Sequence, residues 1–135
     1  MPFLGMLLLT LAVWVLLYVR RLRHVRNQRI RATDLTSPNA MERRLPEYVN
    51  LPAYNLRNLC ELPVVFYTMC LYLFVTNGVD TLHLFCAWFF WGFRVAHSLV
   101  HVTSNFVPLR FALYVAASLA LWLMVIRAAL AVLFH

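Results

Sequence analysis

A chain of 135 residues that is 63% hydrophobic, with a mean hydropathy of +0.72, has the length of one domain and is far more apolar than the roughly 45–50% of soluble proteins. That excludes water as its main solvent, while three glycines, six prolines and no internal repeat exclude a fibrous or disordered chain. The formal charge of +7 comes from arginine alone, and nine of the twelve arginines (Arg20, Arg21, Arg23, Arg26, Arg29, Arg31, Arg43, Arg44 and Arg57) lie between residues 20 and 57.

In a soluble protein such a run suggests nucleic acid. Between two apolar blocks it reads as a cytoplasmic loop against anionic lipid headgroups, with no nucleic-acid partner expected. Cys60, Cys70 and Cys86 are odd in number and sit in apolar surroundings. They are expected to pack, with no disulfide framework and no metal motif.

The first apolar block, residues 3–19, carries no charge, and at 1.5 Å rise its length just crosses a hydrocarbon core of about 30 Å. A cleaved signal peptide carries its basic stretch before the apolar run, whereas here the arginines follow it, which places the amino terminus outside or in a lumen. The helix is expected to continue past the membrane to about Ile30, until Thr33 to Pro38 stops it. Pro38, Pro46 and Pro52 then mark an irregular loop over residues 20–55, and a second span is expected over about 56–76, starting near Pro52 to Tyr54.

Residues 77–80 read as a short outside turn. A third span over 81–102 contains Arg94, His97 and His101, and Phe106 to Arg110 reads as a cytoplasmic return before a fourth span at about 111–134. The fold class expected is therefore all-α and integral to the membrane, a four-helix bundle forming one domain over 1–135. Positive-inside placement puts both termini outside, in a bacterial inner membrane or the endoplasmic reticulum.

An ionisable group inside a span costs about 2.5–3.5 kcal/mol on insertion scales, so Glu61 and Arg94 require a reason. Counted from the outside turn they lie at similar depth, about 24 and 21 Å along their helices, and are expected to pair, within a subunit or across subunits. Tyr54, Asn58, Glu61, Val65, Thr68 and Tyr72 share one stripe of the second helix, and Phe90, Arg94, His97, His101 and Asn105 one of the third. Two such stripes make a polar seam.

The seam can be interhelical glue, a proton path through Glu61, or a ligand site open to the cytoplasm. His97 and His101 also have the i, i+4 spacing of helical metal ligands, but no third ligand accompanies them and the adjacent arginine opposes a cation, so no metal is expected. A site rich in arginine with one carboxylate, an asparagine and tyrosines suits an anionic ligand that also carries an ammonium group, such as a tripeptide thiol like glutathione. An arginine near its sulfur would favour the nucleophilic thiolate.

Arg94-Val95-x-His97-x-x-x-His101, Pro108-Leu109-Arg110-x-x-x-Tyr114 and Arg57-Asn58-x-x-Glu61 together resemble the membrane-associated proteins in eicosanoid and glutathione metabolism (MAPEG), the third helix being most similar to that of the microsomal prostaglandin E synthases. The resemblance covers about residues 57–114. It implies a homotrimer with three glutathione sites between neighbouring subunits, open to the cytoplasm. It further implies Arg110 as the catalytic residue beside the thiol, with Arg57, Asn58, Glu61, Arg94, His97, His101 and Tyr114 binding glutathione or lining its site.

The chain departs from the pattern at His101, where the family often has tyrosine, and at Phe111, where the synthase has serine. It also departs at Tyr54, where an arginine is expected, and at Pro63, which comes early. These departures point away from the prostaglandin reaction and leave glutathione binding in place. The function expected is that of a glutathione-dependent transferase or peroxidase acting on a lipophilic electrophile from the bilayer. The alternative is a non-catalytic protein of the same fold that binds lipid or a partner.

Overall fold

The computed structural model describes residues 1–35 and 37–134, so that Thr36 and His135 lie outside the described residues. Six α-helices follow one another: α1 (Pro2–Gln28), α2 (Pro38–Arg44), α3 (Glu47–Leu59), α4 (Leu62–Val75), α5 (Thr81–Val102) and α6 (Val107–Leu133), with a 3₁₀ turn at Ala32–Leu35. Among the described residues there is no strand. Among the described residues three stretches are long and apolar enough to cross a membrane: Pro2–Gln28, Glu47–Val75 and Val107–Leu133. The 22 residues of α5 have the length, about 33 Å, but carry Arg94 and three histidines.

The first and third blocks follow the expected bounds closely, α1 running unbroken through the arginines to Gln28. The second does not. The single helix expected over 56–76 is two helices, α3 and α4, with Cys60 and Glu61 between them in non-helical conformation. Pro63 is the cause: it has no N–H for the Leu59 carbonyl, and its ring would clash with that carbonyl in a continuous helix. At the second position of α4 neither matters.

The loop expected over 20–55 is likewise mostly helical, holding the end of α1, all of α2 and most of α3. Ser37 caps α2 by accepting from the Ala40 N–H at 3.1 Å, with Pro38 in its first turn. The expected fourth span, α6, begins at Val107, taking in most of the expected return, because Pro108 suits a first turn.

Pro52, inside α3, leaves the carbonyl of Tyr48 without its i+4 donor. Arg20 supplies one: its guanidinium donates to Tyr48 O at 2.9 Å and to Val102 O, at the end of α5, at 3.0 Å. One arginine thus ties α1, α3 and α5 together where the apolar block ends. At the other end Asp80 accepts from the His83 N–H at 2.8 Å, capping α5, and pairs with Arg127 of α6. The His83 N–H and then Arg127 hold the Asp80 carboxyl down at about 2.

Between these ends the core is apolar. Phe66 of α4 stacks on Phe90 of α5, ring centroids 4.5 Å apart, with Met6, Leu121 and Met124 closing around them. Gly5 lets α1 approach Trp91 so closely that a Cβ there would meet the indole nitrogen at 2.4 Å. The outward faces of α1 and α6 are apolar too: Leu4, Leu8, Leu11, Leu119, Trp122 and Ile126 are exposed, as expected of surfaces that meet lipid or a neighbouring subunit.

Candidate functional site

α5 carries the polar side chains inward. Arg94 is 0% exposed, and His97, Ser98 and His101 are 2% exposed, all on the face that packs inside the bundle. Asn55 of α3, also fully buried, accepts from the Ser98 hydroxyl at 3.3 Å. The rings of His97 and His101 meet edge to face at 5.6 Å, and His97 lies 6.0 Å from the Tyr114 ring of α6.

Arg94 does not pair with Glu61 inside the protomer. Its Nη2 donates at 2.9 Å to the backbone carbonyl of Asn58, which the break before α4 frees from ordinary helical bonding, and its guanidinium sits 5.7 Å from the Tyr114 ring centroid. Glu61 falls in the break itself and is exposed. Equal depth places the two side chains together only along a straight helix, and the break leaves Glu61 at the surface. Arg94 Nε and Nη1, His97 Nδ1, His101 Nδ1 and Asn55 Nδ2 are buried with no hydrogen-bond partner. This many orphaned polar atoms in one patch is unusual for a native core.

Beside this patch a crevice of about 230 Å³ is lined by Asn58, His97, Val107, Arg110, Phe111 and Tyr114. Four of the eight expected site residues, Asn58, His97, Arg110 and Tyr114, therefore meet in one opening, with Arg94 and His101 buried beside it. Arg57 and Glu61 are exposed and do not line it. Val107 and Phe111 form an apolar wall that the polar stripes gave no reason to expect.

Arg110 is aimed by a relay absent from the expected set. Its Nη1 donates to Asn105 Oδ1 at 2.6 Å, and Asn105 Nδ2 donates to Glu47 Oε1 at 3.2 Å. Asn105 adopts a left-handed backbone, φ 50°, and its N–H closes the end of α5 on the Val100 carbonyl at 2.8 Å. Asparagine tolerates that conformation better than most residues, so one side chain both ends a helix and holds the guanidinium. The i, i+4 step from Arg110 to Tyr114 places both on one face of α6. Among the described residues no cluster of histidine, cysteine and carboxylate could hold a metal ion.

An all-helical protein with membrane-spanning helices and an arginine–histidine–tyrosine crevice at one end of the bundle is the class these observations define. More narrowly, the sequence matches the MAPEG family over residues 1–130, and the chain belongs to that family. Comparison with curated proteins and with solved structures gave no match.

Proposed function

We propose that the crevice binds glutathione and that the protein is a glutathione-dependent transferase or peroxidase acting on a lipophilic electrophile that enters from the bilayer. The observation that carries this reading is the Arg110 guanidinium, fixed by Asn105 at the mouth of a crevice shared with Asn58, His97 and Tyr114, in a chain of a family built around glutathione. A positive charge held in place lowers the pKa of a thiol beside it, and the thiolate is the attacking form. Its sulfur then bonds to an electrophilic carbon as the leaving group departs with its electron pair. With a hydroperoxide the sulfur attacks oxygen, the O–O bond breaks to release the alcohol, and a second glutathione reduces the sulfenic acid to the disulfide and water.

The crevice is smaller than the roughly 300–1,000 Å³ of most ligand clefts. In a homotrimer with intersubunit sites, a neighbouring subunit completes its wall. Arg57 and Glu61, exposed near Asn58, are then free to bind the charged ends of the ligand from the open side. In this reading α5 also spans the membrane, as the third of four, its polar face hidden and Leu84, Phe85, Trp88 and Leu99 turned outward. The crevice and the basic helices face the cytoplasm, and the arginines between residues 20 and 57 meet anionic lipid. The exposure of Glu61 gives no support to a proton-coupled transporter.

The test is calorimetric titration of glutathione into the trimer in mild detergent. Saturable binding that weakens in Arg110→Ala is the expected result. No binding to the wild type would sink the proposal in favour of a non-catalytic member of the fold.

A further inference from the structure

A second cavity shares no residue with the crevice. It measures about 550 Å³, and one wall is a single face of α1 beyond the apolar block, where Arg20, Arg23, His24, Asn27 and Gln28 recur at helical spacing. Tyr48 of α3 and Thr103 at the end of α5 complete the polar lining, and among the described residues no carboxylate lines it.

Part of the wall is held in place by hydrogen bonds. Arg20 is anchored by its two backbone carbonyls, and the His24 ring and the Tyr48 hydroxyl are hydrogen-bonded at 3.0 Å. Arg23 and the amides of Asn27 and Gln28 are exposed in the lining as donors beside the fixed charge of Arg20, while the Thr103 hydroxyl donates to the Leu99 carbonyl at 2.6 Å. Such a set suits a tetrahedral oxyanion that accepts from several directions better than a planar carboxylate, which one guanidinium fork can satisfy.

Arg20 immediately follows the uncharged block 3–19, so the cavity sits at the level where that block leaves the hydrocarbon. Phospholipid phosphates lie at that level. We propose that this cavity is a phosphate-ester site, occupied by the headgroup of one anionic phospholipid per protomer. The inference rests on the reading that the basic segment meets anionic lipid, and sharpens it from diffuse attraction to a defined site.

The experiment is native mass spectrometry of the detergent-solubilised protein titrated with phosphatidylglycerol, or with diacylglycerol as the phosphate-free control. It compares wild type, Arg23→Gln and Arg31→Gln, the last two losing the same charge from the same basic segment inside and outside the cavity. One saturable lipid per protomer is expected, weakened about tenfold or more in Arg23→Gln and unchanged in Arg31→Gln. Displacement of that lipid by glycerol phosphate supports the site and assigns it to soluble phosphate esters as well. Equal weakening in both variants overturns the site and leaves diffuse attraction standing. Equal binding of diacylglycerol overturns phosphate recognition, and no preference for phosphatidylglycerol in any form of the protein overturns both readings.

Discussion

Replacing Arg94 with methionine separates a site residue from interhelical glue. In the native protein the guanidinium is fully buried, makes one hydrogen bond to Asn58 O and leaves Nε and Nη1 without partners. Arg94→Met removes a charge-assisted hydrogen bond, about 1.5–3 kcal/mol, and a cation–π contact with Tyr114 of about 1 kcal/mol. It also removes two orphaned donors, each of which costs about 1–3 kcal/mol while it is buried.

The Asn58 carbonyl keeps a long bond from Glu61 N at 3.4 Å, so it is not wholly orphaned. The opposing sums are of the same size. The expected stability change is within about 2 kcal/mol of zero, or less than roughly 10 °C in Tm for a chain of this length. Binding should behave differently, because Arg94 holds the backbone of Asn58 at the crevice: glutathione affinity is expected to fall about tenfold or more. Thermal unfolding in detergent and titration calorimetry on the same preparation give both numbers. A Tm loss well beyond 10 °C with unaltered glutathione affinity would refute the reasoning and make Arg94 structural.

Asn105→Gly keeps the left-handed backbone that closes α5 but removes the side chain between Arg110 and Glu47. The bound thiol is expected to titrate between wild type and Arg110→Ala with little change in Tm, and a wild-type titration curve would remove Asn105 from the site. Gly5→Val places a side chain where Trp91 already lies and should cost about 1–3 kcal/mol by overpacking; unchanged unfolding would mean that the indole swings aside. Asp80→Asn should lower Tm at neutral pH. The native carboxyl is held at about 2 against an ordinary 3.8, so its contribution is present above about 4 and is lost as pH falls from there through about 2. The gap between variant and wild type should close over that window in acid unfolding, and a gap that persists at pH 2 would show that the charge contributes nothing.

Much of this architecture was legible in the sequence because lipid and water sort residues strongly along the chain. The bounds of α5, the continuation of α1 through its arginines and the inward polar face at Arg94, His97 and His101 all follow from spacing and burial cost. The break at Cys60 and Glu61 was not, because the apolar pattern runs through it unchanged and only the backbone chemistry of Pro63 interrupts the helix. That break undid the expected Glu61–Arg94 pair within the protomer, since depth along a straight helix no longer placed the carboxylate. Glu47 escaped notice for another reason: it meets Asn105 across 58 residues, and no local periodicity reports a contact of that range. Arg20 was read as a headgroup anchor, whereas the carbonyl freed by Pro52 gives it a place in the protein's own framework.

The measurement closest to the central claim is the ultraviolet titration of the glutathione thiol on the protein, at saturating ligand, in wild type, Arg110→Lys and Arg110→Ala. The account predicts a thiol pKa below the free value in wild type that returns towards it in Arg110→Ala. Lysine should rescue only partly, because it lacks the fork that Asn105 holds. Three superimposable curves would contradict the account and leave Arg110 an interfacial anchor.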